Sequence, residues 1–285
     1  MSAGPMPSGR VALTGAAGML GRAVRRVFGE GAVLPFTHAD LDVTDLDGTV
    51  RTVRDARPGL LIHAAAFTDV DRCETEFDTA FRVNALGARN AAIACEEAGC
   101  PIIYISSDYV FDGTKGAAYD EWDETKPVNA YGLSKLLGER FVASHSRRFF
   151  IVRTSWLYGP GGKNFVDTIS GLLGTNESLR VVADQTGSPT FSSDLALFLR
   201  KLGGRGYGTY HFSNSGSCTW HEFACEIALL RGSRTPVVPV TTAEFPRPAK
   251  RPAFSALNHT MLRLEGMEEP RHWKEALSDY LLNSA

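Results

Sequence analysis

The stretch "VALTGAAGMLGRAV", Val11–Val24, decides the fold of this chain. Arg10–Leu13 predicts a buried strand, and apolar residues recur at helical spacing over Met19–Phe28, which predicts a helix. Backbone N–H groups and the positive end of a helix dipole meet at the turn between them and favour a bound pyrophosphate. We expect five residues of this turn to contact a dinucleotide: Gly15, Gly18, Met19, Leu20 and Gly21.

The glycine spacing of this turn differs from the usual dinucleotide fingerprint. It is G-x-x-G-x-x-G, whereas the common pattern is G-x-G-x-x-G. The alternative interpretation of this segment is an ordinary glycine-rich turn between a strand and a helix. Function therefore has to be argued from further residues.

The composition limits the class of protein. The chain has 285 residues, 44% of them hydrophobic, enough for one large α/β unit or for one domain with an added lobe. Its formal net charge of −2 gives no basic field for nucleic acid. No run of residues approaches the length of a membrane span, and Met1–Gly9 has no apolar signal segment. We expect a cytoplasmic protein with a flexible tip at residues 1–9.

Cysteine usage indicates a reducing compartment. The five cysteines are odd in number and form no C-x-x-C pair, which argues against a disulfide framework and against a thiolate zinc site. We predict buried or idle thiols and no metal site.

Further strands are predicted at 32–36, 59–65, 101–106 and 149–154, with helical segments between them, including a long helix over 75–99. This alternation is typical of α/β proteins and predicts a Rossmann-type, doubly wound parallel sheet. The pattern becomes less regular after Trp156, and Thr219 to Glu222 fits a capping box. We expect a dinucleotide-binding domain at 10–155 to which 179–215 returns, and a smaller C-terminal substrate-binding lobe at 156–178 and 216–285.

Functional residues are expected where the strands end, because ligands bind at the carboxyl edge of an open parallel sheet. Ala64, Ala65 and Ala66 follow the third strand and are small enough for a flat ring to pass close to the backbone. Ser107 follows the fourth strand, and Trp156 follows the fifth. We expect the three alanines to contact the cofactor.

The segment "NAYGLSKLLGERF", Asn129–Phe141, carries the catalytic pattern. Tyr131 and Lys135 are four residues apart and share one face of a helix. An ammonium beside a phenol favours the phenolate and makes proton transfer at a carbonyl oxygen feasible. Ser107 would donate a second hydrogen bond to that oxygen. Alone, the pattern favours a surface Tyr-Lys pair, but together with the glycine turn and Ser107 it favours catalysis.

The choice of cofactor depends on the end of the second strand. An acid there would bind the adenosine ribose and repel a 2′-phosphate. The strand leads into Thr37 and His38, and no carboxylate follows until Asp40, so we expect NADPH to be tolerated alongside NADH. Asp42 and Val43 resemble an adenine-side contact, although Asp42 could equally cap the following helix.

Together these segments resemble the extended short-chain dehydrogenase/reductases. Five more segments are similar in order and spacing to the dTDP-4-dehydrorhamnose reductase family, over Arg10 to Leu281: "SSDYVFDG", "RTSWLYGPGGKNFV", "DQTGSPT", "GTYHFSNSGSCTWHEFA" and "RPAFSAL". The resemblance implies reduction of the C4 ketone of a dTDP-linked 6-deoxyhexulose by hydride from NADPH or NADH. It also implies a dTDP-sugar as the ligand and, as in some relatives, a homodimer.

The resemblance also implies roles for individual residues. Tyr131 would be the proton donor, Lys135 would hold the ribose and tune Tyr131, and Ser107 would orient the carbonyl. Tyr131 and Lys135 would thus also contact the cofactor. Four residues fall on positions that contact substrate in such enzymes: Thr68, Val70, Tyr109 and Trp156. Trp156 could instead be a core aromatic residue.

One departure and two competing functions follow from the same comparison. The family often carries Asn and Arg where Phe254 and Ala256 stand, which leaves the contacts of that loop open and allows a variant sugar. A regulatory subunit of the methionine adenosyltransferase type shares the fold. A nucleotide-sugar epimerase shares both fold and catalytic residues but keeps NAD⁺ bound through its cycle.

Overall fold

The structure is a computed structural model that describes residues 9–283, so nearly all of the tip expected at 1–9 lies outside the described residues. The strands are β1 (Val11–Thr14), β2 (Val33–Phe36), β3 (Leu60–His63), β4 (Ile102–Ser107), β5 (Phe149–Thr154), β6 (Leu157–Tyr158), β7 (Leu179–Val182), β8 (Thr186–Gly187), β9 (Thr190–Phe191), β10 (Gly208–His211), β11 (Cys218–Thr219) and β12 (Val237–Val240). The helices are α1 (Met19–Phe28), α2 (Leu46–Ala56), α3 (Val70–Thr75), α4 (Phe77–Ala80), α5 (Gly87–Ala98), α6 (Ala130–His145), α7 (Phe165–Leu172), α8 (Ser192–Lys201), α9 (Trp220–Leu230), α10 (Thr260–Leu264) and α11 (Trp273–Asn283).

The central sheet has six parallel strands in the order β10-β5-β4-β3-β1-β2. Helices α1 and α8 pack together on one face, and α2, α5 and α6 pack together on the other. The predicted Rossmann-type, doubly wound parallel sheet is therefore confirmed. Since all six strands run in the same direction, their carboxyl ends form one edge.

Strand and helix boundaries agree with the sequence pattern where the apolar spacing is local. Helix α1 and strand β5 have the predicted bounds, β1 and β4 lie one residue later at both ends, and β2 begins one residue later. The predicted long helix is wrong as a single helix. The chain is already helical at Val70, breaks at Glu76 (φ −116°, ψ 44°) and forms a π-helical turn at Phe81–Leu86.

The C-terminal lobe has its own apolar core, built on α7, α9 and α11. The predicted capping box at the start of α9 is present, with Thr219 and Glu222 each bonding the other's backbone. Within 179–215, β10 pairs with β5 in the central sheet, and α8 packs beside α1 on one face of that sheet. Strand β7 instead pairs with β12 in the lobe. Across residues 9–283, no helix is long and apolar enough to cross a membrane.

Candidate active site

The glycine turn after β1 leaves the start of α1 open to an anion. Gly15 has φ +72°, and Gly18 is the N-cap of α1 without a capping side chain. The first turn of the helix, with Met19, Leu20 and Gly21, contains no acidic residue. Its first N–H groups have no partner within the helix. The turn therefore fits the pyrophosphate of a dinucleotide.

Close packing explains two of these glycines. A Cβ on Gly15 would lie 2.7 Å from Ala65 N, and a Cβ on Gly21 would lie 2.7 Å from Ala16 Cα. Because real Cβ atoms avoid such distances, neither position accepts a side chain without a shift of backbone. The glycine turn is thus held directly against the segment that follows β3. The segment Ala64–Ala66 is half-buried there.

The first carboxylate after β2 is that of Asp40. Asp40 folds back, and its Oδ2 accepts hydrogen bonds from Thr37 N at 2.8 Å and from Thr37 Oγ1 at 2.6 Å. These bonds lower the pKa of Asp40. Asp40, the first carboxylate after this strand, is therefore held against Thr37 by a local turn.

Asp42 does not cap the following helix, since the N-cap of α2 is Asp45. Its Oδ1 instead accepts from Thr44 N and Thr44 Oγ1 at 2.9 and 2.8 Å, in a local turn. Val43 is buried, and its carbonyl accepts a hydrogen bond from Asn90 Nδ2 at 3.0 Å. The turn is thereby fixed to α5 while Asp42 stays exposed.

Ser107 is the last residue of β4, and its side chain contacts the buried carboxylate of Asp108. Its hydroxyl donates to Asp108 Oδ1 at 3.0 Å and accepts from Tyr109 N at 3.2 Å. Asp108 Oδ2 accepts from Ser255 Oγ at 2.6 Å. Burial raises the pKa of Asp108 to about 7, although both serine hydroxyls oppose the shift. The sequence analysis missed Asp108, because an acid after a strand resembles a solvent-exposed turn residue.

Helix α6 brings Tyr131 to this strand end. Its N-cap Asn129 accepts from Gly132 N at 2.7 Å, and the absence of a side chain at Gly132 lets the helix pack on the carbonyl of Tyr109. The rings of Tyr109 and Tyr131 meet edge to face with centroids 5.8 Å apart. The structure therefore brings together Ser107, Tyr109 and Tyr131.

The electrostatics of Tyr131 and Lys135 differ from the expectation that the ammonium favours the phenolate. Burial raises the pKa of Tyr131, and the negative charge of Asp108 adds to the shift, whereas a hydrogen bond from Ser107 lowers the pKa. Lys135 is buried, with Nζ 4.2 Å from the centroid of the Tyr104 ring. Burial lowers the pKa of Lys135 to about 7, and Glu139 opposes this shift. Burial and Asp108, not the ammonium, dominate the pKa of Tyr131.

Asn84 is a second residue that the sequence analysis missed. It is fully buried in the π-helical turn, and its side chain bonds both the N–H and the carbonyl of Phe67 at 2.8 and 3.0 Å. It also donates to Ser134 Oγ at 2.9 Å. Asn84 thus joins the segment after β3 to α6. A lone Asn within a helical pattern gave no signal for this, although π turns frequently mark functional sites.

Trp156 has an unusual backbone and an unusual neighbour. Its φ of +46° lies in the left-handed region, which is rare for a bulky residue. Its ring stacks on Trp220 with centroids 3.4 Å apart and an angle of 6°. Both indoles are half-buried and pack against the apolar core of the lobe. Gly187 lies against the Trp156 ring.

The C-terminal lobe reaches the same edge of the sheet. Arg251 pairs with Asp71 Oδ1 at 2.5 Å, and the charge of Arg251 also acts on Tyr109. At the two positions that depart from the family pattern, Phe254 forms an isolated β-bridge with Thr186, and Ala256 is buried. Of the predicted substrate contacts, Thr68 is exposed and Val70 is half-buried at the start of α3.

Comparison with known proteins agrees with this geometry. The model of the family described as RmlD substrate binding domain matches residues 9–285. The spore coat polysaccharide biosynthesis protein SpsK of Bacillus subtilis is 40% identical over 95% of this chain and 96% of its own. The dTDP-4-dehydrorhamnose reductase of Aggregatibacter actinomycetemcomitans is 37% identical over 95% and 97%.

A solved structure gives the same result. The dTDP-4-dehydrorhamnose reductase of Bacillus anthracis str. Ames, crystallised in complex with NADP, superposes with a TM-score of 0.94 and 44% sequence identity, covering 96% of this chain and 99% of that one. The family resemblance of the motifs is confirmed: the chain belongs to the RmlD substrate binding domain family, that of the dTDP-4-dehydrorhamnose reductases.

Proposed function

We propose that the protein reduces the C4 ketone of a dTDP-4-keto-6-deoxy sugar, most directly dTDP-4-dehydro-L-rhamnose to dTDP-L-rhamnose, with NADPH or NADH. The observation that carries this proposal is the meeting of Ser107 and Tyr131 at the carboxyl edge of the sheet, in a chain that carries the glycine turn. The membership of the family and its NADP-bound relative support the same activity.

In the proposed mechanism, different residues of the site bind the cofactor, orient the ketone and supply the proton. The glycine turn and the first N–H groups of α1 bind the pyrophosphate, and Ala64–Ala66 leave room for the nicotinamide ring. When bound, the reduced nicotinamide supplies a hydride. Lys135 holds the ribose, Ser107 donates a hydrogen bond to the ketone oxygen, and Tyr131 gives that oxygen a proton as negative charge develops on it.

The substrate pocket is proposed at the junction of sheet and lobe. Tyr109 stands beside Tyr131, Thr68 and Val70 follow β3, and the stacked Trp156 forms a wall for the sugar.

The proposed dinucleotide-binding domain comprises residues 10–155 together with 192–211. The proposed substrate-binding lobe comprises residues 156–191 and 212–285. The domain division is a proposal that limited proteolysis with and without ligand can test.

The cofactor preference is proposed to be mixed. Asp42 and Val43 lie on the adenine side, and the Asp40 carboxylate at the end of β2 would repel a 2′-phosphate unless Thr37 keeps it turned away. Because the Asp40 side chain is already held by two hydrogen bonds from Thr37, NADPH binding is expected to persist beside NADH binding.

A cytoplasmic location and a homodimer complete the proposal. All five cysteines are free, and four of them are buried, which fits a reducing compartment. The dimer is suggested by the resemblance alone, and light scattering on the purified protein tests it.

The competing functions make different predictions for one experiment. The protein is incubated with enzymatically generated dTDP-4-dehydro-β-L-rhamnose and NADPH, and products are identified by NMR. Stoichiometric dTDP-L-rhamnose and oxidised cofactor support the reductase. A C5 or C4 epimer formed without net NADPH oxidation, together with tightly bound NAD⁺ in the purified protein, would indicate an epimerase. Dinucleotide binding without any turnover would indicate a regulatory subunit.

A further inference from the structure

Tyr104 fills the space between β4 and the part of α6 that carries Lys135. Its side chain is fully buried. A Cβ on Gly138 would lie 2.8 Å from Tyr104 Cζ, so the ring packs on α6 only because this position of the helix has no side chain. The hydroxyl of Tyr104 lies 3.2 Å from the carbonyl oxygens of both Asn84 and Lys135, which share its single proton. The ring is therefore fixed against α6 by packing and by hydrogen bonding.

The ammonium of Lys135 lies over this ring. Lys135 Nζ is 4.2 Å from the centroid of the Tyr104 ring. A cation within about 6 Å of a ring centroid is attracted by the negative face of the ring, and more strongly where water is excluded. Both side chains are buried, and an ammonium in such surroundings is costly unless another group compensates its charge. The face of the Tyr104 ring supplies such compensation.

The carboxylate of Glu139, one turn further along α6, has other partners. Its charge raises the pKa of Lys135 against the effect of burial. Its two oxygens, however, accept hydrogen bonds from Arg153 at 2.9 and 2.8 Å, and one of them also accepts from Ser106 at 2.5 Å. Because Arg153 already neutralises Glu139, the group in direct contact with the Lys135 ammonium is the Tyr104 ring.

His63 packs on the same tyrosine ring without adding a second charge. The centroids of the two rings are 5.9 Å apart, and burial lowers the pKa of His63 to about 3, so the imidazole is neutral near pH 7. Three further titratable groups act on Tyr131, which is on the same helix as Lys135, from α3 and from the turn after β4: Cys73, Asp108 and Tyr109. A change confined to the electrons of the ring at position 104 leaves all of these groups in place.

We propose that Tyr104 is a positioning residue whose ring face holds the Lys135 ammonium in its charged form and directs it to the edge of the sheet. The inference rests on the proposed role of Lys135 and deepens it. Tyr104 acts through Lys135 and not by contact with substrate, because its own side chain is fully buried. A ring of the same shape with a less negative face should therefore let Lys135 lose its proton at lower pH.

The experiment compares rings of similar shape and different charge distribution. Tyr104→Phe keeps the negative ring face, whereas Tyr104→3,4,5-trifluorophenylalanine withdraws electrons from it. The pKa of Lys135 is measured without ligand by NMR of ¹³Cε-labelled lysine, and its signal is assigned by its loss in Lys135→Met. The control places the same fluorinated residue at Phe150, a buried residue of β5 whose ring packs on Tyr207 and Tyr210.

Tyr104→Phe should keep the wild-type pKa of Lys135. The trifluorinated ring should lower this pKa by about one unit, which is about 1.36 kcal/mol and within the range for a cation over an aromatic face. The pH above which kcat falls should move down by the same amount, and the control at Phe150 should change neither quantity. Tyr104→3,5-difluorotyrosine keeps the hydroxyl group, makes the same comparison directly with wild type, and should also lower the pKa.

An unchanged Lys135 pKa in both fluorinated variants at position 104, each shown to be folded by its thermal transition, would overturn the proposal. An equal shift in the control at Phe150 would do so too, because the effect would then not depend on the contact. A shifted pKa with an unchanged pH profile of kcat would overturn the positioning role. A wild type that reduces no dTDP-4-keto sugar would instead refute the proposed function, whatever the NMR titration shows.

Discussion

Replacement of Gly187 by Ala tests whether Trp156 is a wall of the sugar pocket. A Cβ at Gly187 would lie 2.6 Å from Trp156 Nε1 and 2.7 Å from Trp156 Cζ2, whereas carbon atoms in contact are about 3.5–4.0 Å apart. The indole must therefore move by about 1 Å. It cannot do so freely, because its ring is stacked on Trp220 at 3.4 Å.

Two magnitudes follow from this displacement. Insertion of a methyl group into a packed site costs about 1–3 kcal/mol of unfolding free energy. A displacement of about 1 Å in a positioning group can cost up to roughly 10²-fold in rate. We therefore expect kcat/KM for the dTDP-sugar in Gly187→Ala to fall by about 10- to 100-fold, with Kd for the dinucleotide unchanged, since Gly187 lies in the lobe.

The assay combines urea unfolding with steady-state kinetics, and Gly171→Ala is the control. Gly171 is on α7, and a Cβ there would meet nothing within 4 Å. The control should gain up to about 1 kcal/mol of stability from the better helix former and keep its kinetics. If Gly187→Ala loses stability but keeps wild-type kcat/KM, Trp156 does not contact the substrate.

Three further predictions concern charge. Asp40→Asn should lower KM for NADPH more than KM for NADH, since it removes a carboxylate from the strand end that would face the 2′-phosphate; equal changes in both would place Asp40 away from the adenosine. Glu139→Gln should cost about 3–5 kcal/mol of unfolding free energy, because it leaves Arg153 buried without its 2.8 Å partner, and a loss below about 1 kcal/mol in urea unfolding would contradict this. Burial raises the pKa of Asp108 from 3.8 to about 7 in the folded protein. Ionisation of this carboxyl group therefore destabilises the folded state at high pH and has no effect on stability at pH values below 3.8. Asp108→Asn should therefore gain stability over wild type as pH rises from 4 to 8, by up to about 4 kcal/mol at 1.36 kcal/mol per unit, and pH-independent differences in Tm would refute it.

Local apolar spacing predicted the parts of the fold that depend on neighbours along the chain. Helix α1 and strand β5 followed from periodicity alone, and the glycine turn followed from its position between a strand and a helix. The break at Glu76 and the π turn around Asn84 did not. They depend on contacts such as that of Asn84 with Phe67, seventeen residues earlier in the chain.

The same distinction applies to the site. Ser107, Tyr131 and Lys135 could be chosen from motifs, because their residue types and spacing carry the chemistry. Asp108 could not, because it is held by Ser255, which lies 147 residues further along the chain. The hydrogen bonds of the Asp40 carboxylate to Thr37 also could not be predicted, since they depend on the conformation of the turn.

The most direct test of the account is the turnover of Tyr131→Phe with dTDP-4-dehydro-β-L-rhamnose and NADPH, measured as cofactor oxidation beside wild type. The account predicts that wild type oxidises NADPH with formation of dTDP-L-rhamnose. It predicts that kcat in Tyr131→Phe falls by roughly 10²- to 10⁴-fold while Kd for NADPH is largely kept, the pattern of a lost general acid. Near wild-type turnover by Tyr131→Phe would contradict Tyr131 as the proton donor and, with it, the proposed mechanism.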